Sequence, residues 1–232
     1  YWATLGIMYS PKRESIDCDR MITQSLKESF IAGRILLPGK EPSMNYMLIP
    51  NLGIVDAVRE GYLDAYKRNE TLTFKSALDN FMKNAAVTLY SYGKYAKARE
   101  YFRLIRKERR GDPRYQDFDT FILREWTEDI KDGSYKQVHE LISGLIFQSC
   151  LLLGYDDEEG ASAHLKLAEI AYNRFQKEFD DEKGRVRLPP FDMMKTEIAR
   201  SVVQNFPAIG ERVKAYISAA QAEKSEKAEA PK

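Results

Sequence analysis

This chain has few of the residues from which disulfide frameworks and metal sites are built. Among its 232 residues are two cysteines, Cys18 and Cys150, and two histidines, His139 and His164. Two cysteines so far apart in sequence form neither a disulfide framework nor a zinc motif. We expect both to be reduced residues of the core, with a bridge between them as the open alternative. Because a metal site usually needs three or four converging ligands, we predict no metal site.

The chain also lacks a long apolar run, and we predict no signal peptide in this sequence. A helix that crosses a bilayer needs about 20 consecutive apolar residues. The longest candidate, Leu141 to Leu153, is interrupted by small and polar residues, namely Ser143, Gly144, Gln148 and Ser149. We therefore predict a buried helix there and no membrane span in this sequence.

An excess of charge of one sign is absent as well. Lysine and arginine total 36 and aspartate and glutamate total 35, so the net charge is +1. This balance lacks the overall basic bias that is typical of nucleic-acid-binding proteins, and we expect no nucleic acid among the partners. No phosphate-binding glycine loop, nucleophile elbow or CxxC pair occurs either. We therefore predict that the chain is not an enzyme and that it requires no cofactor.

The sequence begins at Tyr1 rather than at a methionine, and its first residues, YWATLGIMYS, are mostly apolar. We expect the sequence to be a piece of a longer protein. In one interpretation the remaining part carries a membrane anchor or a targeting signal, so the cellular location stays open.

What the sequence does contain is a period of 3.6 residues in its apolar positions along almost the whole chain. Strict alternation of apolar and polar residues is nearly absent, so the pattern predicts an all-α fold. Start and stop signals predict about nine helices, at residues 21–34, 52–68, 74–92, 95–109, 113–131, 134–153, 159–179, 190–206 and 208–222. We expect three regions, namely an N-terminal helical segment at 1–40, a helical-repeat domain at 41–222 and a flexible charged tail at 223–232.

The stretch from Phe81 to Ile105 is the most informative part of the chain. It predicts two amphipathic helices folded against each other around the turn Tyr92-Gly93-Lys94-Tyr95. A helix hairpin of this kind cannot bury its apolar faces alone and usually stacks on further hairpins. The stretch therefore indicates a helical-repeat protein that offers a binding surface.

This hairpin resembles the tetratricopeptide repeat. Apolar and small residues recur on the first helix at Met82, Ala86 and Leu89, and a Gly-x-Tyr-x-x-Ala turn follows. The turn residues are Gly93, Tyr95 and Ala98, and the large aromatic four residues later is Phe102. Small side chains let the two helices approach, and Gly93 accommodates a left-handed helix end. The chain departs from the repeat at Ala85, which is smaller than usual, and at Ile105, where a small residue is common.

A second, weaker copy of the repeat is predicted between Leu145 and Ala168. The corresponding residues are Leu145, Ser149, Leu152, Ala161, Leu165 and Ala168. The helix that contains Ala57 and Gly61 is a third candidate. The resemblance implies a right-handed helix-hairpin solenoid whose product is a preorganised groove.

The resemblance also implies which residues face that groove, namely Asn80, Lys83, Asn84, Val87 and Ser91. A lysine attracts a carboxylate, and an asparagine bonds a peptide backbone through both its donor and its acceptor. The plainer interpretation is a solvated polar face of an amphipathic helix. The carboxylate clamp of the family is not reproduced, because Val87 occupies a position where a second asparagine is needed.

A basic cluster follows the hairpin and contains Arg103, Arg106, Lys107, Arg109, Arg110 and Arg114. It suits phosphates, an acidic protein or anionic lipid. The plainer interpretation is that cations offset the dipole at a helix C-terminus. Acidic runs at Asp156–Glu159 and Asp180–Glu182 offer a third interpretation, in which opposite patches of two copies associate head to tail.

Two functions therefore remain open. The first is a protein-interaction scaffold that binds a peptide or a partner protein in the groove. The second is a structural subunit that self-assembles, as a homo-oligomer, or docks in a larger complex through its charged patches.

Overall fold

The computed structural model describes residues 1–9, 15–37, 46–127, 135–182 and 187–215. The described chain is mostly helical, which confirms the prediction of an all-α fold. The predicted tail at 223–232 and the end of the last predicted helix lie outside the described residues. Among the residues within those ranges, no helix has both the length and the apolar character needed to cross a bilayer.

The chain divides into two compact units. The first consists of Tyr1–Leu36, Met47–Tyr90 and Lys94–Trp126. Its helices are α1 (Trp2–Tyr9), α2 (Ser15–Ala32), α3 (Val55–Asn69), α4 (Leu72–Ser91), α5 (Tyr95–Glu108) and α6 (Phe118–Thr127). The described part of the second unit is made chiefly of residues from Thr127 onward together with Ser91–Gly93. Its helices are α7 (Tyr135–Gly154), α8 (Glu158–Glu182), α9 (Phe191–Asn205) and α10 (207–215).

The core of the first unit is aromatic where α2, α3 and α4 meet. The ring of Phe81 packs edge-on against Phe30 with centroids 5.5 Å apart, and it stacks on Tyr62, also at 5.5 Å. All three side chains are buried. Such aromatic pairs stabilise the packing beyond the burial of their area, so this cluster holds the three helices together.

A short antiparallel sheet joins α2 to α3, and the sequence did not predict it. Strand β1 (Arg34–Leu36) pairs with β2 (Met47–Ile49), and Ile35 lies opposite Leu48. The predicted helix end at Arg34 is therefore wrong, because α2 ends at Ala32 and Arg34 begins β1. Three residues are too few for alternation to stand out from a helical pattern, and the pairing partners are distant in sequence.

The start of α6 also differs from the prediction. Asp112 caps only a single 3-10 turn, Pro113–Tyr115, by accepting the N–H of Arg114 at 3.0 Å. The α-helix begins later, where the Asp117 carboxylate accepts the N–H of Thr120 at 2.7 Å. Two capping signals lie close together here, and the second one starts α6.

An ion pair with a buried carboxylate links α2 to the end of α3. Asp19 is fully buried, and its carboxylate accepts hydrogen bonds from the Nε of Arg68 at 3.1 and 3.3 Å. The Nδ2 of Asn69 donates to the same carboxylate at 2.7 Å. The charge of Asp19 is thus compensated inside the unit, as burial of a carboxylate requires.

The helices α4 and α5 form an antiparallel hairpin. At the turn, Gly93 has a φ of 76°, and the Lys94 N–H donates to the Leu89 carbonyl at 2.8 Å, which is the Schellman pattern. At the far end, Arg109 donates to the Asp79 carboxylate at 2.8 Å. The predicted hairpin and the predicted left-handed conformation of Gly93 are both confirmed.

The turn gives a first testable prediction. Replacing Gly93 with alanine should lower the free energy of unfolding by about 1–2 kcal/mol, because a side chain disfavours the left-handed conformation. The new Cβ would also lie 3.1 Å from the Cγ of Glu159. Gly111 is the matched control, since it has a φ of 86° and no atom of another described residue lies within 4 Å of an added Cβ. Urea unfolding should show a larger loss for Gly93→Ala than for Gly111→Ala; equal losses would contradict a role for the Glu159 contact.

The helices α3 and α5 are joined by a polar contact. The hydroxyl of Tyr101 donates to the Asp56 carboxylate at 2.9 Å, and the Nζ of Lys97 lies 2.8 Å from the other oxygen of that carboxylate. The hydrogen bond from Lys97 lowers the pKa of Asp56. These contacts hold α5 against α3.

The second unit contains another helix hairpin, formed by α7 and α8. The buried hydroxyl of Ser149 donates to the Ala161 carbonyl at 2.7 Å, and Leu145, Leu152 and Ala168 are buried. These are residues that the sequence assigned to the weaker repeat copy. Farther along the chain, Val202, Ile209 and Val213 form an apolar cluster against α7.

Candidate functional site

The predicted groove residues do not share one environment. Asn80 and Asn84 are exposed, and being four residues apart they lie on the same face of α4. Lys83 and Val87 are half-buried. Ser91 is buried, with 2% of its surface exposed, so it is not available to a ligand on this face. We call Asn80, Lys83 and Asn84 the α4 polar face.

Two members of the predicted basic cluster are already paired with carboxylates. Arg109 pairs with Asp79 at 2.8 Å. Arg114 makes a two-pronged contact with Asp112, at 3.0 Å from Nε and 2.7 Å from Nη2. The hydrogen bond from Arg114 lowers the pKa of Asp112 to about 2. These two arginines stabilise the local structure. Because their charges are paired, they attract an anionic partner less strongly than unpaired cations would.

The other members form part of a longer row of cations on α5. Its exposed residues are Arg99, Arg103, Arg106, Lys107 and Arg110. The first four lie on one face of the helix, and Arg110 lies just beyond the helix end. Within the described ranges, no carboxylate lies in ion-pair distance of any of them. We call these five residues the cation row.

A cavity of about 350 Å³ lies between α3, α4 and α5. Its floor is apolar and consists of Leu63, Leu78, Met82, Leu104 and Ile105. Leu78, Met82 and Ile105 are each buried, with 7–8% of their surface exposed. The volume falls at the lower end of the range of small-ligand pockets, about 300–1,000 Å³.

The rim of this cavity is charged. Four cations contribute to it, namely Arg59, Lys83, Lys107 and Arg109, and two acids, Asp79 and Glu108. Asp79 is held by Arg109, which leaves three cations against Glu108. The rim thus brings Lys83, predicted to face a groove, together with Lys107 and Arg109, predicted to form a separate cluster.

Two cations of these surfaces were missed by the sequence interpretation. Arg99 lies four residues before Arg103, so extending the helical periodicity by one turn would have found it. Arg59 belongs to α3, and only the packing of α3 against α4 and α5 brings it to the rim. No local signal in the sequence marks it.

His164 and Cys150 are packed inside the second unit. The Nδ1 of buried His164 lies 2.8 Å from the Gly160 carbonyl, to which it donates, and the ring packs edge-on against Tyr92 at 4.9 Å. Burial lowers the pKa of His164 and raises the pKa of the Cys150 thiol to about 11. Both cysteines are free thiols. Among the described residues, no three His, Cys, Asp or Glu side chains converge on a point that could hold a metal ion.

Comparison with known proteins gave no relative from which a function could be carried over. No family model matches the chain, no curated protein sequence matches it, and no solved structure matches its fold. The assignment of a function therefore rests on the contacts and charges described above.

Proposed function

We propose that this chain is a protein-interaction module, built as a helix-hairpin solenoid that resembles tetratricopeptide repeats. Two hairpins support the repeat interpretation, α4–α5 in the first unit and α7–α8 in the second. A solenoid of this kind acts by presenting a preformed surface, and no chemical step is needed.

The observation that carries the proposal is the α4 polar face. Asn80 and Asn84 are exposed one helical turn apart, a spacing of about 6 Å. Peptide groups of an extended segment recur at a similar distance on one edge, about 6.6 Å for every second residue. Each asparagine amide has a donor and an acceptor for such a backbone. Lys83 adds a cation beside them for an acidic side chain of the partner.

The packing of α4 forms this surface before a partner arrives. α4 is anchored by buried Phe81, Ala85, Ala86 and Leu89 on its opposite face, and the Schellman turn and the Asp79–Arg109 pair fix both ends of the hairpin. Preorganisation of this kind lowers the entropy that binding loses. We therefore expect little change in the backbone of α4 when a segment binds.

The proposal is tested with peptides selected against the whole chain from a displayed library. The double variant Asn80→Ala/Asn84→Ala should weaken binding of the selected peptides about ten-fold or more, since each lost hydrogen bond contributes about 0.5–1.5 kcal/mol. Asn173→Ala, at an exposed asparagine of α8, should leave the affinity within about two-fold. Equal affinities of the double variant and the wild-type chain would refute the proposed face.

A second candidate function, self-assembly or docking through charged patches, is supported by the cation row. Five exposed cations without a carboxylate partner among the described residues repel one another, and an acidic surface of a second copy would relieve that repulsion. This candidate predicts that Arg103→Glu/Arg106→Glu lowers the molar mass measured by light scattering. A wild-type chain that is monomeric at all concentrations would exclude the self-assembly form of this candidate.

A further inference from the structure

We propose that the cavity between α3, α4 and α5 binds a free amphipathic carboxylate, with its aliphatic chain on the apolar floor and its carboxylate at the cationic rim. This site shares Lys83 with the α4 polar face but does not include Asn80 or Asn84. Leu78 and Met82 turn toward the cavity, whereas Asn80 and Asn84 are exposed on another face of the same helix.

The apolar floor of the cavity accounts for the aliphatic chain of the proposed ligand. Five apolar side chains from three helices line the cavity, and two of them, Leu63 and Leu104, are half-buried. Their exposed apolar surface is covered when an aliphatic chain enters, which is the favourable term in binding. About 350 Å³ of space accommodates a chain of several carbons, and larger pockets of this class hold drug-sized molecules.

The cationic rim accounts for the carboxylate group of the proposed ligand. Lys83 is half-buried at the cavity, and among the described residues it has no carboxylate in ion-pair distance. The same holds for Arg59 within those ranges. Cations at a partly desolvated rim attract an anion more strongly than cations in bulk water, because the surroundings screen the charge less. Arg59 and Lys83 come from different helices, so they can approach a carboxylate from two sides.

Negative charges near the cavity would repel an anion, and they are weaker than the positive charges of the rim. The cavity lies at the C-terminal end of α5, where the helix dipole contributes about half a negative charge. Part of this negative charge is offset, because the Arg109 N–H donates to the Ile105 carbonyl at 3.1 Å. Glu108 is exposed, and Asp79 is neutralised by Arg109. Arg59, Lys83 and Lys107 therefore leave the rim positive.

Calorimetric titration of the whole chain with octanoate tests the proposal. Two further probes distinguish the contribution of the aliphatic chain from that of the negative charge. Acetate lacks the aliphatic chain, and octyltrimethylammonium carries the opposite charge. We expect octanoate to bind at one site per chain and the other two to bind at least ten-fold more weakly. Equal binding of octanoate and octyltrimethylammonium, or no binding of octanoate, would overturn the proposal.

Variants locate the bound octanoate. Lys83→Gln and Arg59→Gln should each weaken octanoate binding about ten-fold, because each removes one charge-assisted contact. Lys75→Gln, at an exposed lysine of α4 that does not line the cavity, should change it less than two-fold. Thermal unfolding of each variant checks that the chain stays folded. Unchanged affinity in both rim variants would overturn the proposed site, whatever the outcome for selected peptides.

Discussion

Replacing Arg68 with alanine is expected to lower the free energy of unfolding by about 3–5 kcal/mol. The guanidinium of Arg68 is the cation that compensates Asp19, whose side chain has 0% of its surface exposed. In the variant, Asn69 would be the one described side chain that still bonds the carboxylate, at 2.7 Å. A buried charge without its counter-ion has lost its solvation by water and gains little in return, so α2 should detach from α3 at lower urea.

The matched control is Arg20→Ala on α2. Arg20 pairs with Asp17 at 3.0 Å one turn away, but both side chains are largely exposed. Exposed pairs contribute about 0–1 kcal/mol, so urea unfolding should barely change. A loss for Arg68→Ala as small as that for Arg20→Ala would contradict the account of the buried pair.

Replacing Tyr101 with alanine is expected to lower the free energy of unfolding by about 3–5 kcal/mol, in the range of large-to-small changes in cores. The ring of Tyr101 is fully buried, and its removal leaves a cavity between α3 and α5. Burial also raises the pKa of Tyr101, so the phenol stays protonated and donates to Asp56 throughout the neutral range.

The variant Tyr101→Phe separates the hydroxyl from the ring. It should cost about 1.5 kcal/mol, the lower end for a hydrogen bond to a charged group, because Lys97 still pairs with Asp56 at 2.8 Å. Tyr66→Phe on α3 is the control, since the structure gives that phenol no hydrogen bond to any described residue. If Tyr101→Phe lost as much stability as Tyr101→Ala, the ring packing would not be the dominant contribution.

The sequence predicted the α4–α5 hairpin because the signals for both helices and for the turn lie within one short stretch of the chain. Apolar residues at helical spacing bounded both helices, and Gly93 marked a helix end that only glycine adopts without strain. The observed bounds, Leu72–Ser91 and Tyr95–Glu108, lie within two residues of the predicted ones.

The cavity and the buried ion pair could not be predicted in the same way. Asp19 and Arg68 are 49 residues apart, and Asp19 resembles any polar residue of an amphipathic helix until its burial is known. The rim of the cavity likewise depends on how α3, α4 and α5 pack, which joins Lys83 to Arg59 and Lys107. Helical periodicity indicates which face of a helix is buried but not which helix covers it.

The predicted groove residues lie in three different environments, so substitutions among them should affect the two proposed ligands differently. Asn80 and Asn84 lie on an open face, Lys83 lies at the cavity rim, and Ser91 is buried. A peptide on the α4 polar face and a carboxylate in the cavity would both contact the region of Lys83. Lys83→Gln should therefore affect both ligands, whereas Asn80→Ala/Asn84→Ala should affect the peptide alone.

Hydrogen–deuterium exchange of the whole chain, with and without a saturating selected peptide, tests the central claim most directly. We predict slower exchange in fragments that cover α4, residues 72–91, and unchanged exchange in fragments from α8 and α9. Backbone amides report the site without any substitution, so a loss of folding cannot imitate the result. Protection confined to α7–α9, with α4 unchanged, would contradict the assignment of α4 as the partner-binding helix.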